Sequence, residues 1–183
     1  QCFNFVVVVA LDANIPENER TKEGKEENRQ RRMSGLQLSK AKVFIGTWNV
    51  GDTAPADMTP FLNHIEGTDL VVLSFQECNY DVKSGSCEKD FFARVTGILT
   101  DYDVLVATSM WTIRMLVLVK KSEANRVTNL KVCNEATGIG HVVANKGGIA
   151  VGLRFDSTLM CFVGSHLAAH LEKVESRNAD VKE

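Results

Sequence analysis

Proline is scarce in this sequence, with three in 183 residues, and only two tryptophans and two tyrosines occur. So little proline excludes a collagen-like or polyproline chain. Charge of one sign is lacking too: 21 Lys and Arg stand against 23 Asp and Glu, a net charge of −2. No global cationic field therefore draws the chain to DNA, RNA or anionic lipid, and no nucleic-acid partner is expected. A local basic pocket is still compatible with that balance. Hydrophobic runs are short, and the longest, Phe5 to Leu11, is far below the roughly 20 residues of a membrane-spanning helix. It has neither a basic flank nor a small-residue cleavage site, which argues against a signal peptide. The five cysteines (Cys2, Cys78, Cys87, Cys133, Cys161) are dispersed and form no CxxC pair. They read as reduced intracellular thiols, pointing to the cytoplasm, rather than as a disulfide frame or zinc site. GxGxxG and GxxxxGK[ST] are both absent, so the two best phosphate-cradle fingerprints are missing.

What is present is an ordinary globular composition, 44% hydrophobic and 24% charged, in a length that suits one domain. The first residue is Gln rather than Met, so a piece of a longer chain is expected. Eleven of the sixteen residues from Glu17 to Arg32 are charged, five acidic and six basic. Such a stretch buries too little apolar surface to offset its ordering entropy, and it reads as a linker or a lone solvated helix. The expected division is therefore 1–40, an N-terminal segment with a charged linker, and 41–183, a folded domain. Phe3 to Leu11 fits either a strand of that domain or the tail of something upstream.

From Lys42 onward the pattern is dense. Lys42–Trp48 reads as a buried strand and Ala56–Glu66 as a short helix, with Thr59 as its cap and Pro60 in its first turn. Asp69–Phe75 (DLVVLSF) is a continuous apolar run, the mark of a central strand covered on both faces. Cys78–Cys87 is a polar loop, and Glu88–Leu99 is an amphipathic helix. Strands are expected at Val104–Thr108, Arg114–Val119, Asn129–Val132, Gly148–Phe155 and Leu159–Gly164, then a helix over Leu171–Lys182. A β-α-β-α opening followed by consecutive strands implies a strand-rich layered α/β domain without the alternation of a doubly wound fold.

Four clusters sit at expected strand ends, where layered proteins place functional groups. In Gly46-Thr47-Trp48-Asn49-Val50-Gly51, the Asn49 amide is suited either to a hard cation or to a turn that bonds its own backbone. Glu77 follows Gln76 at the mouth of the apolar strand, where its carboxylate must be solvated, paired or metal-bound; Mg²⁺ takes such oxygens. Asn145-Lys146-Gly147-Gly148 offers a compact cation and close backbone approach to a phosphate, and equally a hairpin turn. In Ser165-His166-Leu167-Ala168-Ala169-His170, His166 stands at a strand end, able to hydrogen-bond a phosphate or move a proton, or to serve as a structural histidine. HxxxH without HExxH leaves zinc aside, and His64 and His141 have no such context.

Together with Arg177-Asn178-Ala179-Asp180, these clusters in this order resemble the inositol polyphosphate 5-phosphatase family of the endonuclease/exonuclease/phosphatase superfamily. The resemblance runs from about Lys42 to the end. Thr47-Trp48-Asn49 and Gln76-Glu77 recur across that superfamily, nucleases included. The Asn145–Gly148 and Ser165–Asp180 blocks point to inositol phosphatases, and Trp111-Thr112-Ile113-Arg114 favours the branch with 3-phosphorylated substrates.

The resemblance implies an α/β (α+β), DNase I-like fold: a two-sheet β-sandwich flanked by helices, represented here by about its first half. It implies that Asn49 and Glu77 hold Mg²⁺ and that His166 contacts the scissile 5-phosphate. Asn145 and Lys146 would lie beside substrate phosphates, with Arg177 and Asn178 completing that side. The implied partner is a phosphoinositide or soluble inositol phosphate, with peripheral membrane contact and no transmembrane segment. Segments like GDLNYR, PxWCDR and SDH, which supply the family's general base, are absent from this sequence. The 183-residue chain is therefore expected to be inactive alone and to expose apolar sheet surface. Competing expectations are a nuclease of the same superfamily, or a non-catalytic phosphoinositide- or protein-binding fragment.

Overall fold

In the computed structural model the residues described are 4–12, by their backbone, 40–137 and 146–182. The run DLVVLSF becomes the strand around which the rest is arranged. Strand β3 (Leu70–Gln76) is buried at every position, as a strand covered on both faces must be. It pairs in parallel with β2 (Val43–Asn49) and antiparallel with β5 (Ile113–Lys120), which pairs with β4 (Tyr102–Met110). This second sheet has the order β2-β3-β5-β4. The first sheet is wholly antiparallel, β1-β8-β7-β6, built from β1 (Asn4–Asp12), β6 (Val127–Ala136), β7 (Gly147–Phe155) and β8 (Thr158–His166). The N-terminal apolar run thus joins the sheet, with Asn4 opposite His166 in register. The charged stretch Glu17–Arg32 lies outside the described residues.

Period-two alternation decides what lies between the sheets. In β7 every second residue, Ile149, Val151, Leu153 and Phe155, is buried, and these meet Leu70, Val72, Met115 and Val117 of the second sheet. The opposite face of β3 and β5 carries Val71, Leu73, Phe75, Leu116 and Leu118, covered by Phe91 and Val95 of helix α1 (Cys87–Ile98). Ser86 caps that helix, its hydroxyl accepting from the Lys89 amide at 3.3 Å. Phe75 and Phe91 meet edge-on with centroids 4.8 Å apart, the geometry aromatic quadrupoles prefer.

Two expected helices are shorter than their sequence spans. Of Ala56–Glu66 only Pro60–Leu62 forms a 3₁₀ turn, and Thr59 makes no side-chain cap; its own amide donates to Asp57 Oδ1 at 2.8 Å. The Thr68 hydroxyl takes the Ile65 carbonyl at 2.6 Å and closes the turn. Of Leu171–Lys182 only Val174–Asp180 (helix α2) is helical. His170 stands at a left-handed φ of 74°, and the Arg177 side chain binds the carbonyls of Ala168, His170 and Leu171. Those carbonyls are then unavailable to an earlier helical turn.

Toward one end the space between the sheets changes from apolar to polar. Ser74, Gln76 and His166 are buried there, at 0% exposure. Gln76 Nε2 donates to Thr47 Oγ1 and Ser74 Oγ, each at 3.1 Å, so the buried amide is satisfied. The sheets approach so closely that a Cβ built on Gly164 would lie 2.3 Å from Ser74 Oγ. Gly164→Ala is expected to destabilise the fold by about 1–3 kcal/mol, the usual cost of overpacking. Ser74→Ala in the same chain should recover part of that loss in urea denaturation, whereas additive losses would contradict the contact.

Candidate active site

The polar end of the sandwich is also where four strand ends meet. Parallel pairing puts the C-terminal ends of β2 and β3 side by side, with Asn49 opposite Gln76 and Glu77 next in the chain. In the other sheet β8 ends at His166, opposite Gly147 at the start of β7, so Lys146 enters at the same corner. Across the two sheets, His166 Nε2 lies 3.7 Å from Glu77 Oε1 and 2.5 Å from Lys146 Nζ. An ammonium can only donate, so Nε2 is the acceptor and the neutral ring carries its proton on Nδ1.

Burial, then the Lys146 charge, pushes the His166 pKa from 6.5 down to about 4, partly opposed by Glu77. The imidazole is thus neutral near pH 7. Glu77 keeps 29% side-chain exposure, open to solvent beside a fully buried ring.

Of the two alternatives left open by its residue type, Asn49 makes the turn. Its Oδ1 accepts from the Gly51 amide at 3.0 Å, an Asx turn, while its place at the strand end keeps it beside Glu77. Asn145 lies outside the described residues. Arg177 has its guanidinium against the carbonyls of Ala168, His170 and Leu171, and Asp180 Oδ2 accepts from the Ala168 amide at 3.1 Å. Both therefore shape the loop that follows His166. Asn178 is exposed on α2. The structure thus brings together Glu77, Lys146 and His166, sets Asn49 beside them, and places Arg177 in support of the adjoining loop. Cys78, next to Glu77, is buried, and burial pushes its thiol up to about 12, so it stays protonated near pH 7.

One contributor stands out only in three dimensions. Glu77 has a left-handed φ of 54°, and the neighbouring peptide is anchored by the side chain of Arg114, whose Nη2 donates to the Cys78 carbonyl at 2.9 Å. Its sequence context, the turn Trp111-Thr112-Ile113-Arg114, was the available signal. A groove of about 400 Å³ lies elsewhere, on the outer face of the first sheet, lined by Cys133, Glu135, Ala150, Val163, Ser165 and Val181. Neither Lys146 nor His166 lines it.

A sandwich with a carboxylate, an imidazole and an ammonium at its polar end defines the class, and residues 46–183 match the family model "Endonuclease/Exonuclease/phosphatase family 2". The chain belongs to this family. It is similar to phosphatidylinositol 3,4,5-trisphosphate 5-phosphatase 1 of Xenopus laevis, 30% identical over 74% of this chain and 14% of the relative. It is equally similar to type II inositol 1,4,5-trisphosphate 5-phosphatase of Mus musculus, 30% identical over 78% of this chain and 15% of the relative. The chain spans well under a fifth of either.

Among solved structures it resembles the inositol polyphosphate 5-phosphatase domain of SPsynaptojanin, crystallised with inositol (1,4)-bisphosphate and calcium. The TM-score is 0.66 at 22% identity, covering 86% of this chain and 49% of that one. Cimex nitrophorin shares the fold at a TM-score of 0.50 and 17% identity, covering 63% of this chain and 43% of that chain. The fold is the DNase I-like two-sheet sandwich, and fold alone does not assign chemistry.

The lowered His166 pKa makes a pH prediction for the metal-free chain. An unfolded histidine titrates near 6.5, so between 6.5 and about 4 the unfolded state binds more protons and stability falls as pH falls. The loss is about 1.4 kcal/mol per pH unit at most in that window. The melting temperature should therefore drop more steeply between pH 7 and pH 5 in the wild-type chain than in His166→Gln; parallel slopes would refute the shift.

Proposed function

We propose that the protein to which this chain belongs hydrolyses the 5-phosphate of phosphoinositides or soluble inositol polyphosphates with Mg²⁺. The observation that carries this reading is the convergence of Glu77 from one sheet with Lys146 and His166 from the other, all about Nε2 of the imidazole. A carboxylate and a donor-only ammonium, each within 4 Å of one titratable ring, suit a bound phosphate monoester. The two curated relatives carry 5-phosphatase names, which favours this substrate class over a nuclease.

The donors present fit Mg²⁺. Glu77 is a partly open carboxylate at a strand mouth, and Asn49 adds an amide oxygen on the adjacent strand. Among the described residues there is no group of three or more His, Cys, Asp and Glu able to hold a metal. The fit is therefore to a cation that keeps waters and binds through one carboxylate plus substrate oxygens, as Mg²⁺ does. When bound, Mg²⁺ supplies charge neutralisation to the phosphoryl oxygens and the leaving alkoxide.

The residues of this chain do the rest. Lys146 donates to a phosphate oxygen. The incoming negative charge opposes the effect of Lys146 on His166, raises the ring's pKa and favours the imidazolium, which then donates to the scissile phosphate. Arg177 secures the 168–171 loop that follows His166. Membrane contact, where the substrate is a lipid, is peripheral; among the described residues no helix is long and apolar enough to cross a membrane.

The sequence holds no GDLNYR-, PxWCDR- or SDH-like segment to activate water, so the 183-residue chain is inactive by itself. Phosphate release from 4,5- and 3,4,5-phosphorylated phosphoinositides tests both statements. A protein extended through those segments should turn over with Mg²⁺ and lose at least 100-fold with Glu77→Gln, on the scale of a lost electrostatic stabiliser. The chain alone should give background. Metal-dependent turnover by the chain alone would overturn its inactivity, and a well-folded extended protein without activity would overturn the phosphatase reading.

A further inference from the structure

We propose that Arg114 is the positioning residue for Glu77: it holds the Cys78 carbonyl, one residue beyond the carboxylate, and so fixes the direction in which the carboxylate meets a cation. The inference rests on Glu77 being a cation ligand.

Glu77 stands at φ 54°, a conformation that non-glycine residues adopt only where surroundings impose it. Four backbone contacts impose it. The Glu77 carbonyl accepts from the Asp52 amide at 2.7 Å, and the Cys78 amide donates to the Thr112 carbonyl at 2.9 Å. The Cys78 carbonyl accepts from Arg114 Nη2 at 2.9 Å and from the Cys87 thiol at 3.4 Å. Arg114 Nη1 reaches the other way, donating to the carbonyls of Ile113, at 3.2 Å, and Trp111. Trp111 is itself at φ 56°. One guanidinium therefore bolts the Cys78 carbonyl to the β4–β5 turn, tying left-handed Trp111 to the residue after left-handed Glu77.

The cost of this arrangement argues for its purpose. Arg114 is 5% exposed, and its Nε has no hydrogen-bond partner among the described residues. Its strand neighbours on the same face, Leu116 and Leu118, are apolar and fully buried. A buried cation neutralised by carbonyls alone is a poor choice for packing, where Leu or Met would be at least as stable. Only the planar fork of arginine reaches carbonyls on both sides at once; the point charge of lysine does not.

The test uses the 183-residue chain, Mn²⁺ as probe, and NMR. Mn²⁺ should broaden the amides of Asn49 and residues 76–78 in the wild type. Arg114→Met and Arg114→Lys should each weaken Mn²⁺ binding at least ten-fold and speed hydrogen exchange of the Cys78 amide. Val95→Ala, which loosens helix α1 alone, should lower the melting temperature yet leave Mn²⁺ binding unchanged. Arg114 variants that fold and bind Mn²⁺ like wild type would overturn the proposal while leaving the cation reading of Glu77 intact. Absence of broadening at Asn49 and 76–78 in the wild type would overturn that cation reading, and this role for Arg114 with it. If Arg114→Met does not fold, Arg114→Lys decides; if neither folds, the role is structural and the proposal fails.

Discussion

The close approach of two sheets at one end of the sandwich is the constraint on which the site depends. Gly164 leaves room for Ser74, and the missing Cβ lets β8 lie against β3 where the interior turns polar. Two residues beyond Gly164 comes His166, and three beyond Ser74 comes Glu77. Were the sheets held apart at the spacing their larger core residues require, the 3.7 Å contact between these side chains would not form. Apolar packing between Ile149, Val151, Leu153, Phe155 and the second sheet supplies the stability. Its polar end buries Ser74, Gln76 and His166 in place of apolar side chains.

That end is built on rigid elements. Glu77 and His166 stand immediately at strand termini, and Lys146 one residue before a strand. The Ser74–Gln76–Thr47 hydrogen bonds fill the interior beneath them, so the carboxylate rests on a satisfied network rather than a void. At the rim lie the Asx turn of Asn49 and the 168–171 loop, which Arg177 and Asp180 tie down. Meanwhile the outer face of the first sheet carries an open apolar groove, and Leu130, Val132 and Leu159 of that sheet are 40%, 44% and 37% exposed. In a chain that covers 49% of the solved 5-phosphatase domain, such a face is compatible with further packing.

Much of the architecture was legible in the residues. The uninterrupted DLVVLSF run reads as a doubly covered strand because a parallel strand between two layers has no solvent face. Gly148–Phe155 reads as a strand, and the structure forms one over Gly147–Phe155. Helices were harder: Ala56–Glu66 and Leu171–Lys182 have helical composition, yet turns closed by Thr68 and by the Arg177 side chain cut them short. Side-chain capture of a carbonyl by a residue distant in space or in the wrong turn leaves no periodic trace. The pairing of Phe5–Leu11 with β8 was equally unreadable, since an apolar run of strand length says nothing of its partner.

For the site, sequence alone supplied candidates: Asn49, Glu77, Lys146 and His166 are polar residues beside apolar runs, and each of them also has an ordinary structural use. Only the tertiary structure decided which of them meet. Glu77 and His166 belong to different sheets and are separated by most of the domain, so their contact follows from sheet packing, not from spacing. The same packing lowers the His166 pKa and places Arg114 against the Cys78 carbonyl. Each depends on what surrounds a side chain in space. Composition and periodicity are properties of the chain, whereas desolvation, charge proximity and backbone anchoring arise only once distant segments are packed together.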